Sequence, residues 1–165
     1  MVCSINHVTL IVDQLEKALD FYQNELKMEV IPAFMVDYPN AFLKIGESQQ
    51  LHLAEWEDAK SFRGHVCLVV DDFSHLFWRS KELGIIDTKP WGKVRKLPEG
   101  VMQMFIRDPS GNLLEISSVP GSAIDPAIFD DELYSDGFYR SGRNDDRGYK
   151  TEAASLYYKD EHEDV

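Results

Sequence analysis

The sequence predicts an α+β protein built from a βαβββ unit used twice, and three features carry that expectation. His65-Val66-Cys67-Leu68-Val69-Val70-Asp71 repeats His7-Val8-Thr9-Leu10-Ile11-Val12-Asp13 at an offset of 58 residues. Each copy is followed by a stretch of helical apolar periodicity and then by three short strand-like runs. Near the end of the second copy, the turn Asp108-Pro109-Ser110-Gly111 leads into a strand with one carboxylate, Glu115, between Leu114 and Ile116. A long internal repeat of this kind marks one supersecondary unit present twice.

Residues 5–12 are β-branched and apolar enough for a buried strand, with His7, Thr9 and Ile11 on one face and Val8, Leu10 and Val12 on the other. Asp13 ends that strand and, with Glu16 three residues on, has the spacing of a capping box. Leu15, Ala18, Leu19, Tyr22 and Leu26 then recur at intervals of three and four, which predicts an amphipathic helix lying on a sheet. Strands are expected near 28–36, 41–45 and 49–55, the last two joined by Gly46-Glu47-Ser48 and the last containing His52.

After a polar connection at 57–61 the pattern restarts. A second helix is expected with Phe73, Leu76, Phe77, Ser80 and Leu83 inside and Gly84 at its end, followed by strands near 85–91, 101–107 and 112–118. Residues 93–100 read as a longer loop of the kind that borders a site. The expected organisation is a first module at 1–57, a second at 63–119 and a C-terminal arm at 120–165. The arm is acidic, yet Phe129, Leu133, Tyr134, Phe138, Tyr139, Tyr149, Leu156, Tyr157 and Tyr158 make it too aromatic for a plain disordered tail. Residues 121–158 are therefore expected to pack on the domain or on a partner.

Charge and composition exclude several functions. The net charge is -12, with -5 over residues 1–119 and -7 over 120–165, and no basic stripe offsets it, so neither nucleic acid nor an anionic membrane surface is an expected partner. No apolar run approaches the roughly 18 residues of a membrane span. Residues 1–6 have neither a basic n-region nor an apolar h-region, so no secretory signal and a cytoplasmic location are expected. Cys3 and Cys67 have no zinc-ribbon spacing and read as reduced thiols.

Aligning the two copies brings four polar residues to matching places: His7 and His65 on the first strand of each, His52 and Glu115 on the last. Two imidazoles and a carboxylate with open positions suit Fe(II) or Mn(II), and a fourth nitrogen also suits Zn(II), Ni(II) or Co(II). The ordinary alternatives are a carboxylate on a solvated outer face and histidines that line a pocket or hydrogen-bond within a strand.

On His7-Val8-Thr9-Leu10, Leu19-Asp20-Phe21-Tyr22, the second-copy strand from His65 and the run from Asp108 to Glu115, residues 5–119 resemble the vicinal oxygen chelate superfamily: glyoxalase I, extradiol dioxygenases, epimerases, fosfomycin-resistance and bleomycin-binding proteins. The resemblance implies paired modules forming a cup-shaped mixed sheet around a metal site, and metal ligation by His7, His65 and Glu115. It also implies a small substrate with two adjacent oxygens and a homodimer.

His52 stands where glyoxalases usually carry a glutamate that moves a proton, and is expected as a catalytic residue or fourth ligand; Gln50, two residues away on the same face, is the alternative for that place. Extradiol dioxygenases usually carry a tyrosine ten residues before the glutamate, where this chain has Phe105. The complete triad and the missing glutamate base favour a non-haem Fe(II) extradiol-type dioxygenase. A glyoxalase-type lyase or isomerase/epimerase, and a non-catalytic antibiotic-binding protein of the bleomycin-resistance kind, are the other readings.

Overall fold

The computed structural model describes residues 6–32, 38–47, 49–57, 64–97 and 100–136. The first half runs β1 (His7–Val12), α1 (Leu15–Asn24), β2 (Val30–Ile31), β3 (Asn40–Ile45) and β4 (Gln49–Glu55). The second runs β5 (Val66–Val70), α2 (Phe73–Glu82), β6 (Arg95–Lys96), β7 (Met102–Arg107) and β8 (Leu113–Ser118). Each half forms one four-stranded mixed sheet, in the orders β1-β4-β3-β2 and β5-β8-β7-β6. In each the first and last strands lie parallel and the other pairs antiparallel. The α+β fold of two βαβββ units is thus the one read from the repeat.

Strand alternation divides each sheet into a helix face and an open face. On the helix faces Val12, Leu43, Leu51 and Leu53 join Leu15, Ala18 and Tyr22 of α1, while Met102, Met104, Ile106, Leu114 and Ile116 join Phe73, Leu76 and Phe77 of α2. All belong to one continuous core. A fully buried side chain of this size stabilises by about 1.5–3 kcal/mol relative to an exposed one. The polar face of the repeat is left for the site.

The two halves are tied at the 108–112 turn. Asn112 donates from Nδ2 to the Ile11 carbonyl at 2.8 Å, Ser110 from Oγ to Asp13 Oδ1 at 2.6 Å, and Tyr22 from its hydroxyl to Asp108 Oδ2 at 3.1 Å. Beside them, Arg79 of α2 reaches Glu25 with Nε and Nη2 at 2.9 and 3.1 Å.

Four local expectations are corrected. The N-cap of α1 is Gln14, with no side-chain cap of its own; Asp13 is engaged by Ser110, and Glu55 Oε2 instead accepts from the Leu15 N–H at 2.7 Å. A carboxylate from β4 thus replaces the local capping box. Residues 85–91 form no strand: Ile86 makes an isolated bridge to Ile106, and pairing with β7 resumes only at Arg95, inside the stretch read as loop. Thr88-Lys89-Pro90-Trp91-Gly92 forces the break, because Pro90 has no N–H to give a ladder and Gly92 sits at φ +92. Leu83, assigned to the inner face of α2, is exposed. In 28–36, only Val30–Ile31 is strand among the described residues, and 33–37 lie outside them.

Beyond β8 a short 3-10 helix (Pro126–Asp130) buries Ile128, Trp78 donates to Asp125, Lys81 pairs with Asp131, and Tyr134 bridges to Val94. The start of the C-terminal segment therefore lies against its own second half. Phe138, Tyr139, Tyr149, Leu156, Tyr157 and Tyr158 lie outside the described residues.

Candidate functional site

The register makes the two halves of the site equivalent. Thr9 pairs with His52 across β1 and β4, and Cys67 pairs with Glu115 across β5 and β8. His7 and His65 each stand two residues before the strand partner of that pair. His52, not Gln50, is thus the counterpart of Glu115; Gln50 pairs with His7. His65 precedes β5 rather than lying within it.

On the first open face, His52 is 8% exposed, stacks on Phe42 at a ring separation of 4.3 Å, and meets the His7 ring edge-on at 6.1 Å. Its Nδ1 lies 3.2 Å from Thr9 Oγ1, while Nε2 is buried with no hydrogen-bond partner. Burial first, and the nearby His7 second, lower its pKa and keep the ring neutral. Asn6 Oδ1 accepts from His7 Nδ1 at 2.9 Å, which leaves Nε2 as the lone-pair nitrogen of that ring as well.

On the second open face Glu115 is 5% exposed, so the solvated reading of its strand face fails. Its Oε2 lies 2.9 Å from His65 Nε2, and Oε1 accepts from Gln103 Nε2 at 2.6 Å. Cys67 is exposed at the sheet edge, but its thiol turns to Glu115; desolvation, then the carboxylate's charge and hydrogen bond, push it up to about 12. It is a thiol, not a thiolate, and so a poor ligand. Aromatic rings wall this half: His65 meets Trp91 and Phe105 edge-on at 5.9 and 5.2 Å, and Trp91 and Phe105 stack loosely at 6.3 Å. Phe105, directly opposite Glu115, has no hydroxyl with which to move a proton.

Sequence reasoning missed Arg95. It is 5% exposed, pairs with Gln103 and therefore shares the open face with Glu115. Its Nη2 donates to the Trp91 carbonyl, and its Nε is buried with no partner. Burial pushes its pKa down, and the charge of Glu115 pulls it up. Three cations within Lys93-Val94-Arg95-Lys96, in a chain of net charge -12, were the available signal.

The donor set fits a divalent metal: a histidine nitrogen buried without a partner is unfavourable unless something binds it, and a buried carboxylate beside an imidazole supplies a matching oxygen. His7 comes together with His52, and His65 with Glu115. Among the described residues, however, no three His, Cys, Asp or Glu side chains come together to hold a metal within one chain.

No helix among the described residues is long and apolar enough to cross a membrane. No protein among the curated proteins matches the chain. Among solved structures, it is similar to lactoylglutathione lyase from Agrobacterium tumefaciens, at 25% identity and TM-score 0.53 over 70% of this chain and 92% of that one. It is also similar to the oxidase ChaP-H2, at 24% and 0.58 over 74% and 98%, and to the fosfomycin resistance protein FosX from Listeria monocytogenes, at 19% and 0.57 over 72% and 95%. The last two likenesses concern the fold alone. The family model for the Glyoxalase/Bleomycin resistance protein/Dioxygenase superfamily matches residues 4–116, and the chain belongs to that superfamily.

Proposed function

We propose that the protein is a divalent-metal lyase or isomerase of glyoxalase type that acts on a small substrate with two adjacent oxygens. His7 of one copy and His65 and Glu115 of another would hold the metal, and His52 beside them would be the base that moves the proton. The carrying observation is His52 Nε2, a neutral imidazole nitrogen that is buried, unpartnered and set at the counterpart position of Glu115.

A metal held there supplies Lewis-acid stabilisation of charge developing on the substrate oxygens. Thr9 fixes the His52 ring through Nδ1, Phe42 holds its plane, and Nε2 accepts the proton alpha to the substrate carbonyl and returns it to the neighbouring carbon. Gln103 orients Glu115, and Trp91 and Phe105 exclude water from that side. Phe105, opposite Glu115 without a proton to donate, and the unpartnered His52 Nε2 support this reading over the extradiol-type dioxygenase.

Metal analysis of the purified protein tests the reading. Glu115→Ala should lose most of its metal, and His52→Ala should bind metal about 10–100-fold more weakly, the scale of a disturbed metal-site support. His52→Ala should also lose exchange of the substrate's alpha proton with deuterium. Full metal in Glu115→Ala would overturn the site, and dioxygen uptake with a catechol panel would replace the lyase with the dioxygenase.

A further inference from the structure

We propose that Arg95 is the receptor for an anionic group of the substrate, a carboxylate, next to the half-site of His65 and Glu115; the substrate class is then a small carboxylic acid with a flat apolar body. The inference rests on the site proposed above and adds to it the charge of what enters.

The guanidinium is a buried cation without a bonded counter-ion. Of its five N–H groups, one hydrogen bond to a described residue is made, from Nη2 to the Trp91 carbonyl, while Nε is buried and unpartnered. Glu115 is near enough to be felt as charge, but its oxygens are engaged by His65 and Gln103. Burying a charge costs several kcal/mol unless it is paired and hydrogen-bonded, so a structure serving stability alone would place an apolar side chain here.

The surrounding backbone is shaped around this side chain. Gly92 adopts φ +92, and a Cβ on it would lie 3.1 Å from Arg95 Nη2, so the turn tucks in only as glycine. That same turn presents Trp91, whose ring lies against Phe105 and His65. An unfilled guanidinium fork beside an aromatic wall matches a planar carboxylate on a flat body: two parallel N–H···O bonds at one end and ring contact at the other. Phosphate shares the charge but not the planarity.

Benzoate, benzamide and inorganic phosphate titrated into the metal-loaded protein, followed by tryptophan fluorescence, test the assignment. Wild type should bind benzoate saturably and benzamide at least tenfold more weakly, and Arg95→Gln should lose about tenfold or more in benzoate affinity with benzamide unchanged. Arg95→Met should melt at a higher temperature than wild type without ligand, because a buried unpaired charge is removed, and should lose the benzoate-induced rise in melting temperature. Arg95→Lys should keep attraction but lose the bidentate fit, giving an intermediate affinity.

Unchanged benzoate binding in Arg95→Gln, equal losses for benzoate and benzamide, or a lower melting temperature in Arg95→Met would overturn the proposal; phosphate bound more tightly than benzoate would overturn the carboxylate. Failure of the metal site is a separate result. Glu115→Ala with full metal would remove that reading, whereas benzoate binding that depends on Arg95 in metal-stripped protein would leave the anion receptor standing.

Discussion

At the scale of single residues, the buried polar groups divide into those that are satisfied by the chain and those that are not. Asp108 is satisfied: it accepts from the Tyr22 hydroxyl, from the Asn112 N–H at 2.7 Å and from Asn112 Nδ2 at 2.9 Å. Burial still outweighs these bonds and raises its pKa. Burial, followed by the charge and hydrogen bond of Asp108, holds the Tyr22 hydroxyl well above its ordinary value of 10.0. A raised acid keeps its proton in the folded chain after the unfolded chain has lost it, so this stability is full below about pH 10 and is lost as the pH rises beyond it. Tyr22→Phe should cost about 1 kcal/mol at neutral pH and flatten the alkaline decline, and Asp108→Ala, which strands Tyr22 and Asn112, about 3 kcal/mol, both read from urea unfolding. His52 Nε2 and Arg95 Nε belong to the other class, and both face the site. His7, His52, His65 and Glu115 were legible because a repeat aligns them and histidine is scarce. Arg95 was not, since the three cations at 93–96 mark a charged stretch without saying which of them tertiary packing buries, and the loop pairs only through a two-residue strand.

At the scale of elements, the two helices end alike in role but not in residue. α2 closes with Gly84 at φ +67, its N–H bonding to the Lys81 carbonyl and that of Ile85 to Ser80. α1 closes with Lys27 at φ +55, the one non-glycine residue at positive φ among those described. A side chain in the left-handed region costs about 1–2 kcal/mol, and a Cβ on Gly84 would meet nothing within 4 Å, so the penalty there comes from the backbone alone. Lys27→Gly should therefore stabilise by about 1 kcal/mol and Gly84→Ala destabilise by a similar amount, each shifting the urea midpoint with an unchanged slope. The Gly84 stop was readable from composition, whereas nothing near Lys27 signals a left-handed residue. The same limit explains α1's start: Asp13 and Glu16 have the local pattern of a cap, but the cap comes from Glu55, 40 residues away. Periodicity gave the βαβββ order because it records which face is buried; the missing strand at 85–91 was overruled by Pro90 and Gly92.

At the scale of the whole molecule, the question is where the halves of the site meet. Within one chain the turn at 108–112 and the ion pair between α1 and α2 tie the two halves together, and among the described residues His7 with His52 and His65 with Glu115 stay two separate half-sites of the proposed centre. A two-fold dimer uses one patch twice, so pairing the first half-site of one copy with the second half-site of the other completes two centres at once. Single variants cannot separate this arrangement from a rearranged monomer, but a mixture can. His7→Ala spoils the first half-site and Glu115→Ala the second, and each homodimer then has two defective centres. In a mixed dimer, one centre joins the intact His7 and His52 to the intact His65 and Glu115, while the other collects both defects. Co-refolding the two variants in equal amounts should restore metal to about a quarter of the wild-type level, because random pairing makes half of the dimers mixed and each holds one intact centre. Mixing without co-refolding should restore it only as fast as subunits exchange. If the centre instead forms within one chain, the mixture stays as metal-poor as its components, and metal content together with dimer mass by light scattering distinguishes the two.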